Sequence, residues 1–269
     1  LRFHPEDRGS GPRDALSLFI IGGRLAAQAG IFDDETAELL FETDDAVIRS
    51  RGNLRFGGWY GVARSIIELD SGTAIILIPG LHRYNAEFIG RLIVRPVIDR
   101  LLQTRGLMTL HGAGVAGKKS GCIILGDTGM GKSTLCSGLT EAGYRFFSDD
   151  RVLMETGASG TFLLSYPEAI RLPKTNRGPK FTVTLSETPC ATVPAGSVVF
   201  LDRGEPSAAF AITRIGKAEA AARMMRYVTP FTEPAAVREY FARIGDLCGT
   251  LPAFCVKGWG DRFRAVEAV

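Results

Sequence analysis

The chain from Ala15 to Pro79 alternates between hydrophobic and polar positions over short runs, a pattern typical of β-strands with one buried face. Glycine, asparagine and aspartate residues between the runs predict turns. One helix is predicted among these strands, at Asp33–Phe41. The predicted strands are Ser17–Ile21, Ala46–Ser50, Leu54–Tyr60, Ser65–Glu68 and Thr73–Ile78.

The pattern becomes helical over Asn85–Gln103, where large apolar residues recur every three or four positions. Pro96 lies within this segment and is expected to kink or restart the helix, because proline lacks the backbone N–H that a helix interior requires. The apolar positions are Phe88, Ile89, Leu92, Ile93, Val97, Leu101 and Leu102.

Strands and helices then follow one another. The pattern predicts strands at Met108–Val115, Cys122–Leu125 and Tyr144–Phe147, with a helix at Lys132–Ala142 between the last two. Gly143 follows the helix at the position where a positive φ angle is needed. A strand–helix–strand unit with short connections implies that its two strands are parallel.

The remaining sequence predicts five further strands and two helices. The change of pattern near residues 80–106 places a domain boundary there, with a β-rich α+β domain at 1–105 and a second domain at 106–269. The strands are Thr161–Ser165, Ala169–Leu172, Phe181–Leu185, Ser197–Leu201 and Phe210–Ile215, and the helices are Lys217–Tyr227 and Ala235–Leu247.

Composition narrows the class of protein. The 269 residues are 45% hydrophobic and 23% charged, which is typical of globular chains and not of disordered ones. Thirty-two basic residues against 29 acidic residues give a net charge of +3, which argues against an extended nucleic-acid surface. No apolar run approaches the roughly 18 residues of a membrane-spanning helix. We therefore expect no nucleic-acid partner and no membrane association.

The cysteines and histidines exclude some chemistries. The five cysteines are odd in number, widely spaced and without a CxxC pair, which disfavours a disulfide framework or a zinc site. This usage, with no leader pattern at the start of the chain, favours a reducing, cytoplasmic location. Three histidines without an HExxH pattern make a metalloprotease an unfavoured interpretation.

One motif carries chemistry: the run GDTGMGKS, from Gly126 to Ser133, matches GxxxxGK[ST], the phosphate-binding loop or P-loop. Its glycines let backbone N–H groups approach a phosphate, and the following helix directs its positive end at the same anion. Lys132 is expected to reach the β- and γ-phosphates, and the Ser133 hydroxyl to bind Mg²⁺. The expected nucleotide-binding residues are Gly126, Asp127, Thr128, Gly129, Met130, Gly131, Lys132, Ser133 and Thr134.

A second motif, Ser148-Asp149-Asp150, ends the strand that follows the P-loop helix. Ligands of open parallel sheets collect beyond the carboxyl ends of the strands, where these carboxylates are expected. One of them could bind Mg²⁺ and the other could accept a proton from an attacking hydroxyl. The alternative interpretation is a pair of turn or helix-capping aspartates.

These motifs resemble the catalytic core of the HPr kinase/phosphorylase family. The similarity lies in Leu110-His111-Gly112-Ala113, the P-loop and Ser148-Asp149-Asp150, and it covers residues 108–150 well and 151–201 loosely. It implies an α/β fold with a P-loop kinase core of the HPr kinase/phosphoenolpyruvate carboxykinase type, using ATP and Mg²⁺ to phosphorylate a serine.

The resemblance also implies roles for particular residues. His111 is expected near the phosphates, and Lys132 and Ser133 are expected to handle phosphate and Mg²⁺. Either Asp149 or Asp150 is expected to be the base, with Asp149 favoured for that role and Asp150 for the metal. Arg171 and Arg177 are candidates for stabilising transition-state charge, although solvated surface is the more common fate of such arginines.

The chain departs from this family in two places. The family's Arg-Gly-Leu-Gly-Ile-Ile-Asp stretch, linked to reverse phosphorolysis, has only a faint echo at Asn176-Arg177-Gly178, and residues 1–105 do not resemble the usual N-terminal domain. The chain is more similar to divergent HPr-kinase-like proteins of peptide-modification systems, including kinases of lasso-peptide precursors. The expected partner is thus a peptide or small protein, and residues 1–105 are expected to recognise it.

Other functions stay open from the sequence alone. A small-molecule kinase could use the same core, and a nucleotide-sensing module could use the P-loop without catalysis. Intact Lys132, Ser133, Asp149 and Asp150 count against the sensor, which needs no base. The sequence also leaves the acceptor and the formation of a homo-oligomer open.

Overall fold

The computed structural model describes residues 16–23, 36–157, 159–164, 170–173, 180–183, 192–202, 210–228 and 234–257. Over these ranges the protein has a mixed α/β fold. The chain divides into two compact units, Leu1–Gly106 with Phe231–Ala236, and Leu107–Pro230 with Val237–Val269. Within the described ranges, none of the helices combines the length and apolarity required to span a membrane.

The first unit contains a six-stranded sheet in the order β1-β6-β5-β4-β3-β2. Strands β2 to β6 form an antiparallel meander, and β1 pairs with β6 in parallel. The five predicted strands are confirmed with small shifts at their ends. The bounds are Ser17–Gly22 (β1), Glu38–Glu42 (β2), Ala46–Arg51 (β3), Leu54–Trp59 (β4), Ala63–Glu68 (β5) and Thr73–Ile78 (β6).

The helix predicted at Asp33–Phe41 is wrong where the structure describes it. Residues 33–35 lie outside the described residues, and Glu38–Glu42 form strand β2. This strand pairs with β3, for example Leu39 with Arg49 and Phe41 with Ile48, with an irregularity in register between the two pairs. Pairing with a neighbouring strand therefore decides the conformation of a segment whose own sequence suits a helix.

The predicted helical segment covers one face of this sheet. It comprises α1 (Ala86–Ile89), a π-helical turn (Gly90–Val94) and α2 (Arg95–Thr104), so Pro96 falls in the first turn of α2. Proline is tolerated in a first turn, where its missing N–H would have had no helical partner. The segment's buried apolar residues form one core with the sheet: Ile89, Ile93, Val97 and Leu101 with Ala63, Ile67, Ala74, Ile76 and Ile78.

The second unit contains a nine-stranded sheet with the main order β10-β8-β9-β15-β12-β11-β7, extended by β17 beside β15 and β16 beside β17. A separate two-stranded sheet is formed by β13 and β14. The first strands and the helix among them are Leu107–His111 (β7), Ala113–Ala116 (β8), Gly121–Leu125 (β9), Lys132–Glu141 (α3), Arg145–Ser148 (β10), Arg151–Gly157 (β11) and Gly160–Leu164 (β12). The later elements are Ile170–Pro173 (β13), Lys180–Val183 (β14), Thr192–Leu201 (β15), Ala211–Ile215 (β16), Lys217–Met224 (α4), Pro234–Thr250 (α5) and Ala253–Lys257 (β17).

A single strand was predicted at Met108–Val115. The structure has two strands there, β7 and β8, because the strand is interrupted at Gly112. A Cβ atom at Gly112 would lie 2.6 Å from Leu125 Cδ2 and 2.9 Å from the Ile124 carbonyl oxygen. Only glycine fits this close approach of the chain to β9. Strands β11 and β17 were also not predicted from the pattern.

The predicted strand–helix–strand unit is present as β9, α3 and β10, but its two strands are not neighbours. Strand β8 lies between them and is antiparallel to both, so β9 and β10 run in the same direction. Gly143 follows α3 with φ of +94°, as predicted. The helix packs Leu135, Cys136 and Leu139 into a core with Val115, Ile124 and Val199.

Candidate functional site

Strand direction brings several strand ends to one edge of the second sheet. Strands β9 and β15 pair in parallel, β15 and β17 pair in parallel, and β10 runs the same way as β9. The residues after β9, β10 and β15 therefore lie at the same edge. Because β8 runs in the opposite direction, its start, directly after His111 and Gly112, belongs to this edge as well.

The loop after β9 is shaped by three of its glycines. Gly129 and Gly131 have φ angles of +80° and +84°, in the left-handed region that favours glycine. A Cβ atom at Gly126 would lie 3.1 Å from Leu201 Cβ, so this residue lets the loop approach β15 closely. Helix α3 begins directly after Gly131, which has no side chain to cap it. The loop thus turns tightly and leads into an uncapped helix N-terminus.

Lys132, the first residue of α3, folds back over the loop. Its Nζ donates hydrogen bonds to the Gly126 carbonyl oxygen at 2.6 Å and to the Asp127 carbonyl oxygen at 3.3 Å. The residue is only 8% exposed. A buried ammonium must be compensated by polar partners, and here the loop backbone supplies two of them.

The side chains of this loop differ in exposure. Asp127, Thr128 and Gly129 are exposed, Met130 is buried, and Ser133 and Thr134 in the first turn of α3 are half-buried. No group of three or more His, Cys, Asp or Glu residues in the described part of the chain is arranged to hold a metal ion.

Asp149 is buried beside this helix. It is 8% exposed and directly follows β10. Its charge raises the pKa of the Cys136 thiol, after burial, which is the larger cause; the charge of Lys132 lowers the same pKa. Both charges therefore act on one thiol, one helical turn beyond Lys132. Asp149 thus lies at the end of a strand that packs against α3.

Asp150 is associated with His111. The His111 Nδ1 lies 3.1 Å from the Asp150 carbonyl oxygen and 3.2 Å from its Oδ1. The Gly112 N–H also donates to the Asp150 carbonyl oxygen, at 3.2 Å. Pairing of His111 with Arg151, between β7 and β11, explains this proximity. The two adjacent carboxylates thus have different surroundings, one buried near α3 and the other beside an imidazole.

Two residues that the sequence had not singled out contact the loop. The Arg226 guanidinium bonds to Asp127 through Nη2, at 3.2 Å from Oδ2 and 3.4 Å from Oδ1. The Tyr227 hydroxyl lies 3.2 Å from Asp127 Oδ1. Burial, followed by the charge of Asp127, raises the pKa of Tyr227. Sequence patterns carry no signal for these contacts, because the partners are about a hundred positions apart.

These two residues belong to a short 3₁₀ turn, Met225–Tyr227, that extends α4. The next residue, Val228, forms an antiparallel bridge with Leu110, the neighbour of His111. The turn and Val228 therefore connect the surroundings of the loop with the strand that carries His111.

Asp202 is another residue at this edge that the sequence analysis did not identify. It follows β15, and its N–H donates to the Val256 carbonyl oxygen at 2.9 Å. Its Oδ2 lies 3.9 Å from Arg223 Nη1 and 3.8 Å from Lys257 Nζ. An acid after a strand parallel to β9 is a signal that becomes visible only once the strand order is known.

The side chains of the two arginines named from the sequence, Arg171 and Arg177, are not among those that the structure describes. Arg171 falls in β13, where only the backbone is described, and Arg177 lies outside the described residues. Of the predicted site residues, the structure brings together Lys132 with the Gly126 and Asp127 carbonyls, and His111 with Asp150.

The sequence and the structure were compared with known proteins. No family model matches the sequence, and no curated protein matches it. Among solved structures, the chain is similar to the HPr(Ser) kinase/phosphatase from Coxiella burnetii, with 14% sequence identity and a TM-score of 0.33. The match covers 55% of this chain and 83% of that chain.

Proposed function

We propose that this protein is an ATP- and Mg²⁺-dependent kinase that transfers the γ-phosphoryl group to a serine hydroxyl of a peptide or small protein. The observation that carries the proposal is the buried Lys132 ammonium, which folds over the loop between β9 and α3. The buried Asp149 directly follows β10, a strand that packs against that helix. Phosphoryl transfer to a hydroxyl requires a fixed cation for the phosphates and a fixed carboxylate for the hydroxyl.

Phosphate binding is assigned to the loop and α3. The N–H groups of the first turn of α3 have no intrahelical partner, and the uncapped helix start gives them a positive end to present to an anion. Lys132 adds a full charge and three donors. Two of its present contacts are backbone carbonyls, and a phosphate oxygen could replace one of them.

Mg²⁺ is assigned to Ser133 and Asp150. Magnesium in nucleotide sites is usually bound through one or two protein oxygens, with phosphates and waters completing the shell. A hydroxyl in the first turn of α3 and one carboxylate fit that requirement, and the chain needs no larger cluster of acids for it. When bound, the ion neutralises charge on the β- and γ-phosphates. His111, through its contact with Asp150 Oδ1, would orient this carboxylate.

Asp149 is assigned as the base. The acceptor serine oxygen forms a bond to the γ-phosphorus, the bond from this phosphorus to the β–γ bridging oxygen breaks, and ADP leaves. The hydroxyl proton passes to the Asp149 carboxylate. In such reactions the base mainly orients the hydroxyl and receives the proton late.

The acceptor class follows from the sequence resemblance described above. A lasso-peptide precursor or an HPr-like protein would present a serine hydroxyl to this site, and the β-rich unit of residues 1–105 would recognise the acceptor. Serine in a flexible peptide is therefore the first acceptor to offer the protein.

A transfer assay tests the proposal. The protein is incubated with Mg²⁺ and labelled ATP together with candidate precursor peptides and an HPr protein, and phosphoserine is identified by mass spectrometry. Lys132→Ala is expected to reduce transfer at least a hundredfold, because it removes the cation that meets the phosphates. Lys118→Ala, which alters an exposed lysine between β8 and β9, is the matched control and should retain transfer.

Two results would contradict the proposal. ATP binding without transfer to any serine would favour the nucleotide-sensing interpretation, and transfer to a free metabolite alone would favour the small-molecule kinase. Wild-type transfer by Asp149→Asn would move the base to Asp150. Circular dichroism of each variant separates a loss of chemistry from a loss of folding.

A further inference from the structure

Arg226 is a second cation beside the phosphate-binding loop. Its guanidinium donates to Asp127, the second residue of the loop, whose carbonyl oxygen also accepts a hydrogen bond from Lys132. The two cations therefore contact the same loop residue, one at its side chain and the other at its backbone.

The backbone around Arg226 is held firmly while its side chain is not. Met224 and Tyr227 on either side are buried, and Val228 is bridged to Leu110. The side chain of Arg226 is 65% exposed and that of Asp127 is 59% exposed. An ion pair between exposed groups is weak, so the guanidinium leaves Asp127 at little cost when a more highly charged anion binds nearby.

A carboxylate in a phosphate-binding loop needs such partners. The negative charge of Asp127 would repel a triphosphate unless neighbouring groups compensate it. Tyr227 donates to the same carboxylate and is much more buried than Arg226. With Tyr227 holding Asp127, the guanidinium is the partner that is able to move.

We propose that Arg226 binds the γ-phosphoryl group of the nucleotide and stabilises it during transfer. The inference rests on the function proposed above. In the transfer step the bond from the γ-phosphorus to the bridging oxygen breaks, the bond to the acceptor oxygen forms, and the acceptor proton goes to a carboxylate. Arg226 exchanges no atom; its N–H groups donate to the non-bridging oxygens, over which the negative charge is spread. Tyr227 is a positioning residue for Asp127.

A neighbouring arginine supplies a matched control. Arg223 lies one turn earlier on α4 and bonds to Glu219 at 2.8 Å and to the Cys255 Sγ at 3.6 Å, with Asp202 at 3.9 Å. These contacts direct its guanidinium towards β15 and β17. Arg223→Ala thus removes the same charge three residues earlier in the chain without removing the contact with Asp127.

The test requires no acceptor. Calorimetry measures the affinities for Mg²⁺–ATP and for Mg²⁺–ADP with aluminium fluoride, which imitates the phosphoryl group in transfer. Arg226→Ala is expected to weaken the aluminium fluoride complex at least tenfold and to change ATP affinity less than threefold. Arg226→Lys should weaken that complex by an intermediate factor, and added guanidinium should restore it in Arg226→Ala. Arg223→Ala should stay within twofold of wild type for both ligands.

The outcomes separate this inference from the proposed function. Wild-type protein that fails to bind Mg²⁺–ATP would contradict the proposed function and the inference together. If wild type binds both ligands and Arg226→Ala binds the aluminium fluoride complex equally well or more tightly, Arg226 only neutralises Asp127 and the inference alone is wrong. Thermal unfolding of each variant shows whether it remains folded under the conditions of the titration.

Discussion

The pKa of the Cys136 thiol depends on burial and on two nearby charges, those of Asp149 and Lys132. Burial raises its pKa most, Asp149 raises it further, and Lys132 lowers it. Lys132 was expected at the phosphates from the loop motif alone, and it does fold over the loop. The different surroundings of Asp149 and Asp150 were not predictable, because they depend on α3 for one residue and on β7 for the other.

This environment predicts low thiol reactivity. Burial raises the pKa of Cys122 to about 11 and that of Cys136 well above its usual range. With a pKa of about 11, about one in a thousand Cys122 side chains is the thiolate at pH 8, and alkylation requires the thiolate. We expect iodoacetamide to leave both residues unmodified in the folded protein and to modify both in urea, as measured by peptide mass spectrometry. Rapid modification of the folded protein would contradict this packing.

The strand–loop–helix element was the most predictable part of the molecule. Its signals are local: an apolar strand, glycines where the chain needs positive φ, and Gly143 after the helix. Prediction failed where pairing or packing with another segment decides the conformation. Strand β2 forms because it pairs with β3. The strand is interrupted at Gly112 because the chain passes close to Ile124 and Leu125 there.

The two glycines that flank α3 give a prediction for this element. Gly131→Ala and Gly143→Ala each place a Cβ at a left-handed φ and should each destabilise the protein by about 1–2 kcal/mol in urea unfolding. Only Gly131→Ala alters the loop that we propose binds phosphate, so only this variant should also lose ATP affinity, by at least tenfold in calorimetry. Gly143→Ala, at the far end of the helix, serves as the control. Equal ATP affinities in the two variants would contradict the role of the loop.

At the scale of the whole molecule, prediction recovered the mixed α/β character and the β-rich first part of the chain, because hydrophobic period is a local property. Strand order and long-range contacts were not recovered. The contact between Arg226 and Asp127 joins residues 99 positions apart, and the position of β8 between β9 and β10 depends on the order of pairing.

The core of the first unit gives a prediction at this scale. Ile76 is fully buried, and Ile20, its partner in the parallel pair of β1 and β6, is 45% exposed. Ile76→Ala should lower the free energy of unfolding by about 2–5 kcal/mol through lost burial and a cavity. Ile20→Ala should lower the free energy of unfolding much less, because folding removes a smaller area of this side chain from water. Urea unfolding monitored by circular dichroism compares the two, and equal losses would contradict the assigned burial.

Strand β8 acts as a spacer of fixed width. Because it lies between β9 and β10, the loop after β9 and the acids after β10 are two strand spacings apart, about 10 Å. Backbone hydrogen bonds between the strands set this width, so it does not depend on which side chains β8 carries. In the proposed kinase, β8 would thus set the distance between the loop for the phosphates and the acids for the acceptor hydroxyl, although it contributes no residue to either.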